Sequence, residues 1–181
     1  EEFEYYLKVK KNLKQITINK KLQRFRKSIR AAVSEGYLDK DPFMLYKAKK
    51  VILEVVFLSP EELKKLEEHN FSQFRLGFIK DLFIFSCYTG LPYRELMNLE
   101  EKHISKGFDD NLWIRMKREK TSKELSIPLL PKALEILEKY SNETANIFPR
   151  ISNQKYNSYL KEIADIVGID KRLTTHTARK T

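Results

Sequence analysis

The spacing of apolar residues predicts a helix at residues 18–35, near the start of the chain. Its apolar side chains recur at intervals of three and four and would face a core: Leu22, Phe25, Ile29 and Val33. Thr17 fits the N-cap of this helix, and Gly36 lies just past its end. The opposite face is basic and carries Lys20, Arg24 and Lys27. Residues 1–45 are expected to form helices, with a turn at Asp39-Lys40-Asp41-Pro42.

A second helical region begins at Ser59, where the sequence Ser-Pro-Glu-Glu has the form of a capping box. This helix is expected to end near Glu68. The very apolar segment from Phe74 to Tyr88 predicts a central core helix that Gly90 terminates. Further helices are expected at residues 92–99, 131–140 and 153–166.

Strand signals are few and concentrate in one place. Leu112–Met116 and Leu125–Leu129 are rich in apolar residues and flank a polar turn at 117–123, which predicts a β-hairpin. The expected fold class is therefore mainly α with a small β element (α+β). These elements divide into a helical domain, a linker and a larger domain, at residues 1–45, 46–56 and 57–181.

The charge distribution favours a polyanionic partner. The chain has 181 residues and a net charge of +10. Residues 1–57 hold 14 Lys and Arg against 7 Asp and Glu, a net of +7, whereas residues 58–181 hold 21 against 18, a net of +3. No acidic residue occurs between Tyr5 and Ser34. Basic charge at this density indicates binding to a polyanion, most often nucleic acid or an anionic membrane.

Other classes of protein fit less well. No apolar run approaches the roughly 20 residues that a membrane-spanning helix needs. The N-terminus, Glu1-Glu2-Phe3-Glu4, is acidic rather than the basic start of a signal peptide. The single Cys87 excludes an internal disulfide, fits a cytoplasmic setting and is expected to be a buried apolar residue. The histidines lack zinc-ligand spacing and no glycine-rich phosphate loop occurs, so we expect no metal and no cofactor.

A short motif near the C-terminus suits phosphodiester chemistry. His176 and Arg179 are spaced i, i+3 in a predicted helix that Thr174 or Thr175 would cap, so both lie on one face near a helix N-terminus. The Arg179 guanidinium would grip phosphate oxygens, and His176 would form a hydrogen bond or move a proton. Taken alone, so short a motif is more often structural.

Lys120 lies at the tip of the predicted hairpin among further basic residues: Lys117, Arg118 and Lys123. As an isolated feature this is a solvated basic turn. The functional alternative is a mobile lysine that enters a DNA groove and donates a proton to the leaving 5′ oxygen. General acid catalysis of this kind contributes about 10²–10⁴-fold in rate.

The order of these motifs distinguishes the alternatives, because it resembles the catalytic domain of tyrosine recombinases, the phage-integrase family. The matching segments are, in order, Thr89-Gly90-Leu91, Glu95-Leu96, Glu119-Lys120-Thr121, Leu125-Ser126-Ile127-Pro128-Leu129, and His176 with Arg179. Residues 1–45, with Asp41-Pro42-Phe43 before the linker, resemble the core-binding domain of that family.

The resemblance implies a site-specific recombinase or integrase of a mobile element. Such an enzyme cleaves and rejoins duplex DNA through a 3′-phosphotyrosyl intermediate without metal or ATP, and acts as a homotetramer on DNA. It implies that Lys120, His176 and Arg179 are catalytic residues of the domain at 57–181. Contacts to DNA would come from Lys20, Arg24, Lys27, Lys117, Arg118 and Lys123.

Two features depart from the family pattern. The first catalytic arginine of the family falls at Pro92, which removes both a charge and a donor. Arg94 is the nearest substitute, but two positions along a helix rotate a side chain by about 200°, so Arg94 would point away from the position of the family arginine.

The second departure concerns the nucleophile. The nucleophilic tyrosine of the family follows the His-x-x-Arg helix, whereas all nine tyrosines here precede His176. We therefore expect residues 1–181 to bind DNA as a monomer without cleaving it.

Two alternatives stay open at the level of sequence. Pro92 favours a non-cleaving, sequence-specific DNA-binding protein derived from a recombinase. The other alternative is a structural helical protein whose basic face binds RNA or DNA without specificity.

Overall fold

The computed structural model describes residues 2–140 and 146–181. Within them the chain forms eight α-helices: α1 (Glu2–Val9), α2 (Gln15–Ser34), α3 (Pro60–Glu68), α4 (Phe74–Thr89), α5 (Tyr93–Met97), α6 (Pro131–Tyr140), α7 (Asn153–Val167) and α8 (Thr175–Ala178). An antiparallel sheet has three strands in the order β1 (Ile104–Lys106), β2 (Leu112–Lys117) and β3 (Glu124–Pro128). The prediction of a mainly α chain with a small β element is thus confirmed. No helix of the described residues is long and apolar enough to cross a membrane.

The chain separates into two compact units, a first unit at Glu1–Glu54 and a second unit at Val55–Thr181. The first unit has a small core between α1 and α2, in which Leu7, Ile18 and Leu22 are buried. The segment after α2 is held against that helix by Arg26, whose guanidinium donates to the backbone carbonyl oxygens of residues 43 and 46. Three buried side chains make this a modest core.

Two details of α2 differ from the sequence prediction. The helix has Lys14 at its N-cap, so Thr17 lies inside the first turn and the predicted Thr17 cap is wrong. The expectation that Phe25 faces the core is also wrong, since its side chain is 45% exposed. The buried core of this unit covers only the first half of α2. The Phe25 ring instead contacts those of Phe3, with centroids 5.8 Å apart, and Phe43, at 5.6 Å.

Helix α4 forms the centre of the second unit. Side chains on all of its faces are buried, including Ile79, Leu82, Phe83 and Phe85. It contacts α3, α6, α7 and α8. Gly90 ends the helix with a φ of 65°, a left-handed conformation that residues with a side chain rarely adopt. The predicted central helix and its glycine stop are confirmed.

Polar groups on α4 are matched by neighbours. Asp81 Oδ2 accepts hydrogen bonds from Lys139 Nζ at 2.6 Å and from the Tyr140 hydroxyl at 2.8 Å, which ties α6 to α4. Cys87, which we expected to be buried, is partly buried. Burial raises the pKa of its thiol to about 12, and the carboxylate of Glu67 adds to the effect. The thiol therefore stays protonated at neutral pH.

The sheet confirms the predicted hairpin and adds a strand. β2 and β3 pair with Ile114 opposite Ile127, and Ile114 is fully buried. β1 pairs with the other edge of β2, where Ile104 lies opposite Ile114. β1 was not predicted from the sequence, because three residues are too few to show the two-residue alternation of a strand.

Shortening Leu82 to alanine should destabilise the second unit strongly. The side chain is fully buried in α4, so Leu82→Ala leaves a cavity and lowers the free energy of unfolding by about 2–5 kcal/mol. Denaturant unfolding followed by circular dichroism measures this loss. The control is Ile166→Ala on α7, where Ile166 is 50% exposed and the expected loss is about 0.5 kcal/mol. Equal losses in the two variants would contradict the central position of α4.

Candidate nucleic-acid site

Helix α8 carries the His-x-x-Arg motif and is fixed at its first residues. Thr174 is the N-cap, because its Oγ1 accepts a hydrogen bond from the Thr177 N–H at 3.2 Å while the Thr174 N–H donates to Thr177 Oγ1 at 3.2 Å. The Thr175 N–H donates to Asn157 Oδ1 of α7 at 3.0 Å. Of the two caps that the sequence allowed, the structure uses Thr174. His176 is exposed on this short helix.

Arg179 joins the end of α8 to the turn that ends α4. Its Nε donates to the Gly90 carbonyl oxygen at 2.9 Å, a contact between residues 89 positions apart in the chain. The next residue of that turn, Leu91, is buried and anchors the turn in the core. Arg179 is exposed, and a guanidinium has five N–H donors, so this bond leaves donors available to an anion.

Pro92 follows the same turn and occupies the N-cap of α5. It contributes neither a charge nor an N–H donor. Arg94, two residues further on, has a side chain that is 77% exposed, and its Nη1 lies 3.6 Å from Glu119 Oε2. Arg94 is therefore paired with the turn between β2 and β3.

The β2–β3 turn, which carries Lys120, is attached to the α5 region at two consecutive residues. Glu119 Oε1 accepts a hydrogen bond from Asn98 Nδ2 at 2.5 Å. Arg118 Nε lies 3.9 Å from Oε1 of Glu95, whose side chain is only 4% exposed. The exposed lysines of the hairpin are Lys117, Lys120 and Lys123. Arg118 is less accessible than these lysines, because its side chain is 32% exposed and faces the Glu95 carboxylate.

Arg150 also reaches this region, although no signal in the sequence indicated it. Its Nη2 donates to Asn98 Oδ1 at 3.1 Å. The loop that carries Arg150 is held against α5 by Tyr93, whose hydroxyl donates to the Ile151 carbonyl oxygen at 2.5 Å. An isolated arginine after a proline has no spacing signal, so only the tertiary structure could reveal its position.

Three tyrosines of the second unit have hydroxyl groups that are hydrogen-bonded or buried. The Tyr88 hydroxyl donates to Glu67 Oε1 at 2.8 Å, and this hydrogen bond, together with burial, raises the pKa of Tyr88 to about 12. Burial and the Asp81 carboxylate raise the pKa of Tyr140. Tyr156 is buried, which raises its pKa well above the ordinary value. Each of these phenols is held in its neutral form, which is the less nucleophilic one.

The first unit presents a separate basic surface. Lys20, Arg24 and Lys27 are all exposed on α2, as the sequence predicted. Lys20 and Lys27 line a groove of about 540 Å³ together with Arg26, Arg30 and Tyr46. Arg24 does not line this groove. The groove thus combines guanidinium and ammonium groups with apolar surface.

Taken together, the predicted site residues of the second unit provide positive charge and proton donors. The structure joins Arg179 to the Gly90 turn and joins Arg94 to the turn that carries Lys120. His176 lies on the helix that precedes Arg179. In residues 2–140 and 146–181, no three His, Cys, Asp or Glu side chains are grouped as a metal-binding cluster. This arrangement can bind an anion and supply protons to it.

Comparison with solved structures shows which fold this is. A fragment of lambda integrase, solved as a dimer bound to a COC′ core site, matches with a TM-score of 0.73 at 15% identity, over 95% of this chain and 64% of that chain. The Tn1549 transposon integrase, in complex with circular intermediate DNA, matches with a TM-score of 0.72 at 16% identity, over 98% and 68%. XerA recombinase matches with a TM-score of 0.53 at 20% identity, over 98% and 63%. At these identities the likeness shows a common fold.

The sequence match is confined to the N-terminal part. Residues 1–51 match the phage integrase SAM-like domain. No curated protein sequence matches the chain. The resemblance to phage integrases is thereby confirmed, by the domain match for residues 1–51 and by the fold for the chain. The chain spans 64% of the length of the lambda integrase fragment.

Removal of the α8 cap should loosen the helix that carries His176. Thr174→Ala deletes the side-chain acceptor for the Thr177 N–H, at a cost of about 1 kcal/mol. We expect the Thr177 and Ala178 amides to exchange with solvent about fivefold faster, as measured by hydrogen exchange. Ser152→Ala, which removes the corresponding cap of α7, should leave these two amides unchanged. Unaltered exchange in Thr174→Ala would contradict the capping role.

Proposed function

We propose that the chain is the DNA-binding and catalytic part of a site-specific DNA recombinase of the tyrosine type. The observation that carries the proposal is the hydrogen bond from Arg179 Nε to the Gly90 carbonyl oxygen. It joins the His-x-x-Arg motif to the Thr-Gly-Leu turn, two motifs that are distant in sequence. The shared fold with the lambda and Tn1549 integrases, both solved with DNA, supports duplex DNA as the partner.

The proposed domains follow from the same resemblance. Residues 1–45 are part of a helical core-binding domain, residues 46–56 a linker, and residues 57–181 the catalytic domain. The match of residues 1–51 to the phage integrase SAM-like domain supports the first assignment. The division into compact units at residues 54 and 55 lies within the proposed linker. The exposed basic side chains of Lys20, Arg24 and Lys27 would contact backbone phosphates. Contacts of this kind supply most of the affinity of such proteins for DNA.

In the proposed reaction a tyrosine hydroxyl attacks the scissile phosphate, a 3′-phosphotyrosyl bond forms and the 5′ oxygen leaves. Arg179 binds the non-bridging oxygens and stabilises the charge that develops on them. His176 forms a hydrogen bond to the phosphate or transfers a proton. Lys120 gives a proton to the leaving 5′ oxygen. Attack by the 5′ hydroxyl of a partner strand reverses these steps and releases the tyrosine.

The nucleophile of this reaction is proposed to come from outside residues 1–181. Tyr88, Tyr140 and Tyr156 are engaged or buried, and their pKa values are raised. Residues 1–181 by themselves would bind DNA as a monomer and leave it intact. The whole protein would act in the cytoplasm as a homotetramer on DNA, with Lys117, Arg118 and Lys123 adding contacts from the hairpin.

A second candidate function is favoured by one observation. Pro92 stands where the family has its first catalytic arginine, and Arg94 is paired with Glu119 in the hairpin turn. A site that lacks this arginine suits a recombinase-derived protein that binds a specific DNA sequence without cleaving it.

Charge reversal on α2 should weaken binding to a duplex that carries the end of the mobile element. For Lys20→Glu with Arg24→Glu, we expect at least about a tenfold loss of affinity and a salt slope shallower by about 2, since two phosphate contacts are lost. Fluorescence anisotropy over a range of salt concentrations gives both quantities. The control is the same charge change in α3, Lys64→Glu with Lys65→Glu, which should lower the affinity for the duplex less.

Two results would count against the proposal. Equal losses in the α2 and α3 variants would indicate that net charge alone governs binding. Equal affinity of the wild-type chain for the element end and for a scrambled duplex would favour a structural protein that binds nucleic acid without specificity.

A further inference from the structure

A carboxylate of the chain itself lies among donors that suit a phosphate. Glu119 Oε2 is 3.6 Å from Arg94 Nη1, and Glu119 Oε1 accepts a hydrogen bond of 2.5 Å from Asn98 Nδ2. Arg150 Nη2 donates to Asn98 Oδ1 at 3.1 Å. One guanidinium group and one amide, from α5 and its C-cap, thus contact one anionic side chain, and a second guanidinium group, from the loop before α7, contacts the amide.

The role of Arg150 in this cluster is to orient the amide. An asparagine amide has an acceptor end and a donor end, and the bond from Arg150 engages the acceptor end. The donor end of Asn98 is then directed at Glu119. Asn98 therefore acts as a donor to whatever anion occupies the position of the Glu119 carboxylate.

The Glu119 carboxylate is held weakly enough for another anion to displace it. The side chain of Arg94 is 77% exposed and that of Glu119 is 43% exposed, and ion pairs so open to water contribute little. Arginine and amide donors bind phosphate oxygens with the same geometry that they use for a carboxylate. A phosphate presented on a DNA duplex would therefore compete with Glu119 for these groups.

We propose that Arg94, Asn98 and Arg150 form a binding site for a backbone phosphate of duplex DNA, and that Glu119 occupies this site when DNA is absent. The inference rests on the proposed function and extends it to a contact that involves no bond making or breaking.

Occupation of this site by DNA has a consequence for Lys120. Glu119 precedes Lys120 in the β2–β3 turn, so displacement of the Glu119 carboxylate releases one of the two attachments of that turn. The other attachment, between Arg118 and the buried Glu95, remains. Binding of the duplex would thus detach the tip of the turn, next to Lys120, while its base stays in place.

The test compares two isosteric substitutions that remove the same charge from the same hairpin. Glu119→Gln removes the competing anion, whereas Glu124→Gln removes an exposed carboxylate on β3, opposite Lys117. Affinity for one short duplex is measured by anisotropy at several salt concentrations. We expect Glu119→Gln to bind about threefold to fivefold more tightly than Glu124→Gln, with a salt slope steeper by up to about 1. The two thermal unfolding midpoints should agree, since the amide introduced by Glu119→Gln retains an oxygen that accepts from Asn98.

A double-mutant cycle ties the effect to the proposed site. In the Arg94→Gln background, the additional gain in affinity from Glu119→Gln over Glu124→Gln should be smaller, because one of the groups for which the carboxylate and the phosphate compete is gone. Equal gains in Glu119→Gln and Glu124→Gln, or an additional gain of unchanged size without Arg94, would overturn this inference and leave the proposed function intact. Absence of duplex binding by the wild-type chain would overturn the proposed function and this inference with it.

Discussion

The burial of α4 on all of its faces is the constraint on which the rest of the second unit depends. The helix has no solvent-facing stripe, so the surrounding elements must cover it, and α3, α6, α7 and α8 do so. Burial of large side chains such as Phe83 and Phe85 makes the main favourable contribution to the free energy of folding of this unit. Because the helix is fixed in this way, the point where it ends is fixed as well.

The candidate site is built outward from that end. Gly90 takes the left-handed conformation that stops α4, and the next residue, Leu91, returns to the core. The Gly90 carbonyl oxygen is then available to accept from Arg179, which places α8 beside this turn. A helix of four residues such as α8 has little stability by itself, so its position depends on the threonine cap, on Asn157 and on this contact with Gly90.

Local signals in the sequence are sufficient for most of the helices and strands and insufficient for the contacts between them. The capping box at Ser59, the glycine stop at Gly90 and the hairpin follow from chemistry within a few residues, and the structure has each of them. The predicted Thr17 cap is wrong because Lys14 already starts the helix one turn earlier. The prediction for Phe25 is wrong because periodicity shows which residues share a face but not how far a neighbouring helix extends over it.

The cluster around Glu119 illustrates the same limit at the site. Its members come from α5 and its C-cap, the β2–β3 turn and the loop before α7. Arg94 and Asn98 are spaced i, i+4, but no spacing relates either of them to Glu119 or Arg150. Family resemblance directed attention to Lys120 and Arg179, which lie at matched positions. The resemblance does not indicate Asn98 or Arg150, because only the tertiary structure brings these two residues together.

The most direct test of the central claim uses the protein expressed from its complete reading frame and a nicked suicide duplex that carries the end of the mobile element. We predict a protein–DNA adduct that survives SDS, that forms with the wild-type protein and that is lost in Arg179→Ala. The adduct should form despite Pro92. Tight, sequence-specific binding by the wild-type protein with no adduct would contradict the claim and identify a DNA-binding protein that does not cleave.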